Sequence, residues 1–396
     1  MSVGTPFHPR AAAMNRKMQW REWAGYFASS VYADFHDIEY NAIREAAAVI
    51  DLSPLYKYRV TGPDAIRLTD RVITRDATKL GVGQVFYTPW CDEHGKVLDD
   101  GTIHRISADE LLWTAADPQY RWLTMNAVGL DVRIEDVSEQ LACLALQGPF
   151  SRAVLEAASG EDFAGLKYFR RRDTVIAGVS VGVSRTGYTG DLGYEIWIPA
   201  DDATAVWDRL FEVGQAYAIR PAGMYALDVT RVEAGLIMLE VDYTSSRHAL
   251  NPEQNYSPYE IGLGKLVTFD KANYVGKRAL AAEVAAGGPQ RRLVGLQLDW
   301  NDIEAAFSAQ DLPPAISAYI DREPVPVFAE GRQVGKSTSH GWSPILKQAV
   351  ALAFVPPRYE KPGTRLQVEW TVEGRRGRVN ATVVEMPFLD LPRKRA

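Results

Sequence analysis

In SRTGYTGDLGYEIWI, residues 184–198, a carboxylate at Glu195 follows three glycines, Gly187, Gly190 and Gly193, spaced in steps of three. A carboxylate accepts two hydrogen bonds side by side, and its charge makes each stronger than a neutral pair. Flanked by aromatic rings, such a group suits a planar heterocycle with two adjacent N–H donors, such as a pterin or a guanine. A glycine-rich turn also suggests a phosphate cradle. That reading needs a helix whose free N–H groups face the phosphates. Here the glycines run into Tyr194-Glu195-Ile196-Trp197-Ile198, an aromatic and β-branched strand, with no Gly-Lys-Ser/Thr. Along an alternating strand Glu195 and Trp197 share one face, while Tyr194, Ile196 and Ile198 share the other. Half-exposed strands normally carry charges on the solvent side, so by pattern alone a solvent-facing Glu195 is the more economical reading.

The second carboxylate candidate is the Asp99-Asp100 pair in KVLDDGTIHRI. Adjacent strand residues point to opposite faces, so at most one enters a given pocket. There it would orient an amine, accept its proton or offset a developing cation. On spacing alone, both residues at a solvent-facing strand end is the favoured alternative. Aromatics are plentiful nearby, at Trp20, Trp23, Tyr26, Tyr56, Tyr87, Trp90 and Tyr188. Their faces suit a cationic methyl donor, although most such residues belong to cores. The six histidines and two cysteines form no metal-ligand spacing, and no Gly-x-Ser-x-Gly elbow occurs, so neither a metal nor a serine nucleophile is expected.

Several elements must position these groups. DFHDIEYNAIREAAAVID (34–51) places Ile38, Ala42, Ala46 and Ile50 on one face of an expected helix. Residues 58–73 read as strand, Gly-Pro and helix, and 144–158 repeat that order. Residues 83–106 read as two strands around an Asp-Glu-His-Gly turn, and 201–218 as a helix. Beyond Gly287-Gly288-Pro289 the chain becomes a series of short strands, as in a sandwich or jelly roll. With 396 residues, two or three domains are expected. A net charge of −6 gives no broad basic surface, which argues against nucleic acid as the main partner. Two cysteines, no signal-peptide core and no apolar run long enough for a bilayer point to the cytoplasm and away from a membrane.

Taken together, VTGPDA (60–65), YTPWCDEHGKVLDD (87–100), LALQGP (144–149), SRTGYTGDLGYEIWI, RPAG (220–223) and LDVTRVEAGL (227–236) form an ordered series. It continues through SPYEIGLGKLVTFDKANYVGKRAL (257–280), SPILKQAVALAFV (343–355) and VVEMPFLD (383–390). The series resembles the glycine cleavage T-protein (aminomethyltransferase) superfamily of tetrahydrofolate-dependent one-carbon transferases, over almost the whole chain. The resemblance implies an α+β, three-domain cloverleaf around a central folate channel, with a C-terminal β-barrel or jelly roll. The implied domains are 1–58 plus 142–247, 59–141 plus 248–284, and 290–396. Glu195 then matches the family's pterin-binding glutamate, and Tyr188 an aromatic lining the same channel. Asp100 is similar to the catalytic aspartate, and Tyr87 to a tyrosine close to the folate. Arg231 falls in an Arg-x-Glu segment, where it either contacts folate or plays a structural part.

The departures fall on the donor side. Ser53-Pro54-Leu55-Tyr56 stands where the T-protein has Ser-His-Met-Gly. Leu227 replaces an arginine, Thr114 replaces an asparagine, and residues 236–258 are longer than the usual counterpart. The profile resembles sulfoniopropionate demethylases, aryl-ether demethylases and the folate domains of sarcosine and dimethylglycine dehydrogenases. It implies a demethylase that passes a methyl group from a small methylated donor to tetrahydrofolate. A sulfonium or quaternary ammonium donor leaves neutral and needs no acid, and Trp20, Trp23 and Tyr56 are the expected donor-binding residues. The alternatives are aminomethyl transfer from a lipoyl carrier, O-demethylation of methoxylated compounds, and a non-enzymatic folate-binding accessory role.

Overall fold

The computed structural model describes residues 1–317 and 319–395. Among the described residues, three sheets and a closed barrel make up the framework. The first large sheet orders its strands as Arg171–Ile176, Val179–Ser184, Gly193–Pro199, Leu141–Gln147, Ala48–Asp51 and Arg220–Pro221. The second orders Val85–Cys91, Val97–Arg105, Glu110–Ala115, Tyr56–Thr61 and Arg133–Asp136. A small N-terminal sheet joins Val3–Gly4, Tyr26–Val31 and Gln19–Trp23. The barrel closes through Arg292–Leu298, Gln348–Val355, Arg332–Ser343, Val325–Ala329, Arg365–Val372 and Arg375–Val384.

Alternation along Gly193–Pro199 decides how the first sheet is used. Tyr194, Ile196 and Ile198 pack with Val154, Leu155, Val206, Trp207 and Leu210 from helices Ser151–Ser159 and Ala203–Gly214. Each fully buried aliphatic side chain there contributes roughly 1.5–3 kcal/mol relative to exposure. The opposite face, carrying Glu195 and Trp197, is thereby left to meet the second sheet.

The Met224–Glu233 helix lies between the first sheet and the barrel. Its Leu227, Val229 and Val232 share one core with Ile50, Cys143, Val350 and Leu352. A helix buried on both sides has no solvent face for charges, so Asp228, Arg231 and Glu233 require internal partners.

Residues 34–51 differ from the expected single helix. The helix spans Asp37–Glu45 and stops at Ala46, whose φ of −135° and ψ of −122° leave the helical region. Ala48–Asp51 is instead a strand paired antiparallel with Leu144–Gln147. Val49 and Ile50 are β-branched and fully or almost fully buried on opposite faces of the sheet, which outweighs the helical spacing. Ile38, expected on the buried face, is 42% exposed. One helix beyond Gly287, Trp300–Ser308, was not expected. Asp299 caps it by accepting from the Asn301 and Asp302 amides.

Candidate active site

Two strand faces meet to form the site. Val97–Arg105 directs Asp100, Thr102 and His104 to one side, and Gly193–Pro199 directs Glu195 and Trp197 toward them. The His104 ring meets the Trp197 indole edge-on, with centroids 5.1 Å apart and planes at 79°. This contact joins the two sheets that carry Asp100 and Glu195. Burial, aided by Arg171, pushes His104 down to about 3, which leaves the ring neutral.

Glu195 ends a hydrogen-bond chain with only one direction. The Trp197 indole N–H donates to Ser184 Oγ at 3.2 Å. Ser184 and Thr186 hydroxyls lie 2.8 Å apart, and Thr186 Oγ1 donates to Glu195 Oε2 at 2.6 Å. An indole N–H only donates and a carboxylate only accepts, so both hydroxyls must pass their protons toward Glu195. Its Oε1 has no donor among the described residues. Burial raises the Glu195 pKa above the usual carboxylate range, and the Thr186 bond opposes part of that rise.

The glycines before this strand answer to space as well as to turning. Gly190 has φ +71°, and a Cβ there would lie 2.5 Å from the Ala234 Cβ. At Gly193 a Cβ would lie 2.3 Å from the Gln147 amide, which is fully buried and cannot retreat. Tyr188 projects from this turn, and its hydroxyl donates to the Ile237 carbonyl.

Asp99 and Asp100 separate as alternation requires. Asp99 is fully buried and accepts from the Asp100, Ala116 and Asp117 amides at 2.7, 3.0 and 2.9 Å. It therefore fastens the turn after Glu110–Ala115 and is not at a solvent-facing strand end. Asp100 Oδ2 accepts from the Tyr87 hydroxyl at 2.6 Å, and Oδ1 accepts from the Tyr243 hydroxyl. Burial raises the Asp100 pKa, and the two phenols oppose that rise. Burial and the Asp100 charge push both phenols well above their ordinary value, so they remain protonated donors.

Among the described residues, Arg231, Trp20, Trp23 and Tyr56 make no hydrogen bond to Asp100 or Glu195. Arg231 is 0% exposed. Its Nε donates to Asp228 at 2.7 Å, Nη1 to Asp242 at 2.5 Å and Nη2 to Ser339 at 2.7 Å. All three guanidinium nitrogens are thus engaged within the protein, which supports the structural one of the two parts open to Arg231. Trp20 is likewise set apart, packed on His8 and Phe27 at centroid distances of 4.8 and 6.5 Å. Trp23, three residues on and so on the opposite strand face, packs against the core shared by the first sheet and the barrel. Tyr56 packs on the second sheet, and nearby Asp117 and Asp136 add to the burial that raises its pKa.

Several neighbours carry no motif in the sequence. Tyr243 lies 143 residues from Asp100 along the chain. The long segment that holds it was visible as a departure from the family, but its phenol was not. Asp117, Glu240 and His248 also come together, with ligand-type atoms within 4.8 Å of one another. His248 pairs with both carboxylates, at 3.4 and 3.0 Å, which accounts for the group without an ion.

Residues 7–271 match the family model described as the GCVT N-terminal domain, and residues 312–390 match the glycine cleavage T-protein C-terminal barrel domain. The chain belongs to the glycine cleavage T-protein family. It is 34% identical over 335 residues to an aminomethyltransferase of Caldanaerobacter subterraneus, covering 83% of this chain and 82% of that one. An aminomethyltransferase of Moorella thermoacetica is 32% identical, with 98% of each chain covered. A trimethylamine-oxide aldolase of Ruegeria pomeroyi is 35% identical over 98% of this chain but only 47% of its own length. The fold matches the glycine cleavage system aminomethyltransferase T of Bartonella henselae, with a TM-score of 0.83 at 24% identity, covering 98% and 99% of the two chains.

As a T-protein family member the chain is a transferase of one-carbon groups, with tetrahydrofolate as co-substrate. The residues present fit that molecule. Glu195 Oε1 is an open acceptor in a buried setting, suited to a pterin N–H, while the Thr186 bond holds the carboxylate in place. Among the described residues no helix is long and apolar enough to cross a membrane.

Proposed function

We propose that this enzyme moves a methyl group from a small methylated donor, a sulfonium or quaternary ammonium compound, to tetrahydrofolate. The observation that carries the reading is the state of Asp100. Both its oxygens receive phenol O–H donors, which favours a fixed anion over a strong base. A fixed anion suits a reaction in which positive charge moves from a leaving donor to the acceptor amine. Other groups point the same way. Tyr56 lies near Asp117 and Asp136, and Tyr26 near Glu139 and Asp136, so aromatic faces and negative charge occur together. The Ruegeria relative is named for trimethylamine oxide, a methylated nitrogen compound.

Tetrahydrofolate supplies the amine nitrogen that accepts the carbon. Glu195 holds the pterin edge, and Tyr188 and Tyr87 border it. Asp100 offsets the positive charge and offers an oxygen to the amine proton. Trp23 and Tyr56 are the proposed donor contacts, and the cytoplasm is the proposed compartment.

Mass spectrometry of folate products across sulfonium, ammonium, amine and aryl-ether donors tests this reading. Methyl-folate from an onium donor is the expected result, and its absence with every such donor rejects the reading. A second reading, aminomethyl transfer from a lipoyl carrier, is supported by the aminomethyltransferases among the relatives. Methylene-folate and ammonia formed only with a lipoylated carrier would establish it instead.

A further inference from the structure

Asp100 is held from two distant segments of the chain and, less directly, from the barrel. Tyr87 reaches it from the neighbouring strand of its own sheet. Tyr243 reaches it from the segment that follows the Met224–Glu233 helix. Tyr243 is 2% exposed, its ring lies 6.3 Å from that of Tyr256, and its carbonyl accepts from the Glu240 amide at 2.7 Å. The adjacent residue, Asp242, has both oxygens filled. Oδ2 accepts from Arg231 Nη1 at 2.5 Å and the Met238 amide at 2.9 Å. Oδ1 accepts from Thr338 and Ser339 of the barrel, each at 2.7 Å. A carboxylate bound four ways in a dry interior has little freedom, and the next side chain inherits that rigidity.

We infer that Tyr243 is a positioning residue that, anchored through Asp242 to Arg231 and the barrel, keeps Asp100 an oriented anion. The inference rests on the reading of Asp100 as the carboxylate beside the transferred carbon, and it deepens that reading. One phenol would orient one oxygen and leave the other as an ordinary proton acceptor. With the second phenol, each oxygen gives part of its basicity to a donor, so the site serves cationic donors better than donors that need strong base. The barrel, far from Asp100 in sequence, then helps set the charge of that group through Thr338 and Ser339. The ionisable groups facing or adjoining Asp100 are Tyr87, Tyr188, Tyr243 and Asp99, and of these only Tyr87 and Tyr243 hydrogen-bond to its carboxylate oxygens.

Infrared titration of the Asp100 carboxyl in the folate-free protein tests this directly, with the band identified by its loss in Asp100→Asn. In Tyr243→Phe the midpoint should rise by about one pH unit, the worth of one hydrogen bond to a charged group. For any donor that turns over, the acid limb of kcat should move up by the same amount. Tyr256→Phe, which removes a neighbouring phenol without a partner, should move neither. An unmoved midpoint in folded Tyr243→Phe overturns the inference. Should that variant fail to fold, Thr338→Val, which loosens the Asp242 anchor, takes its place. A smaller upward shift there supports the inference, and none overturns it. A shifted midpoint with no turnover of any donor leaves the inference standing and removes the proposed function.

Discussion

Thr186 Oγ1 donates to Glu195 Oε2 at 2.6 Å, which leaves Oε1 as the carboxylate oxygen available to a ligand. In Glu195→Gln the charge is lost and an NH2 group competes for the place of an acceptor. Tetrahydrofolate affinity should fall by about 10- to 100-fold, the range for one charge-assisted hydrogen bond. Thr186→Val should cost less, because it frees the carboxylate to rotate without removing its charge. Calorimetric titration of the three proteins checks the order.

The same carboxylate sets a pH dependence whose sign is opposite for binding and for folding. Burial raises the folded pKa of Glu195 above its ordinary value. Protonation then removes the anion that the ligand needs, so affinity should fall as pH drops through that raised pKa. Folding behaves otherwise. A carboxyl with a raised folded pKa contributes stability below its unfolded pKa, and that contribution is lost as pH rises through the folded value. Loss of folate binding as pH falls through that raised pKa should therefore occur without any fall in stability arising from Glu195. Parallel binding and melting curves on wild type and Glu195→Gln separate the two effects.

Trp20 and Trp23 differ by three positions on one strand and so face opposite ways. Trp20 packs on the outer side against His8 and Phe27, the latter 39% exposed, while Trp23 packs inward. Trp23→Ala should raise the KM for an onium donor by roughly fivefold or more, as expected for a lost cation–π contact of about 1 kcal/mol. Trp20→Ala should leave that KM unchanged. Equal effects of the two variants on KM would remove both from the donor site.

What was readable in advance follows the range of the interactions. Alternation is local, so which residues share a face with Glu195 and Asp100 could be read from their strands. Pattern alone favoured solvent-facing carboxylates, whereas Glu195 is buried because its face meets the second sheet. The ordered motifs placed these residues in one family before any coordinates. Local patterning misled where a longer-range term decided the outcome. Ala46–Ile50 has helical spacing, yet pairing with Leu144–Gln147 makes Ala48–Asp51 a strand. Arg231 was open between a ligand contact and a structural part, because its partners Asp242 and Ser339 lie 11 and 108 residues away. Tyr243 was invisible for the same reason, since its partner lies 143 residues away and no spacing rule spans that distance.

Glu233 gives the sharpest test of how the barrel is held. Its carboxylate accepts from the Tyr40 hydroxyl at 2.7 Å, from Arg44 at 2.5 Å and from Ser343 of the barrel at 2.6 Å. Arg44 is almost fully buried and also meets Asp191 at 3.2 Å, which in turn binds Arg393 at 2.7 Å. Glu233→Ala leaves a buried guanidinium short of its main counter-charge, a loss of about 3–5 kcal/mol. Because the lost contacts join the Asp37–Glu45 and Met224–Glu233 helices to the barrel, unfolding should also lose cooperativity, with the barrel melting apart from the rest. The exposed Arg10–Asp208 pair, at 2.6 Å, supplies the contrast, since solvent screens it and Arg10→Ala should leave the melting temperature unchanged. Calorimetry that shows one unshifted transition for Glu233→Ala would mean that apolar packing alone fixes the barrel.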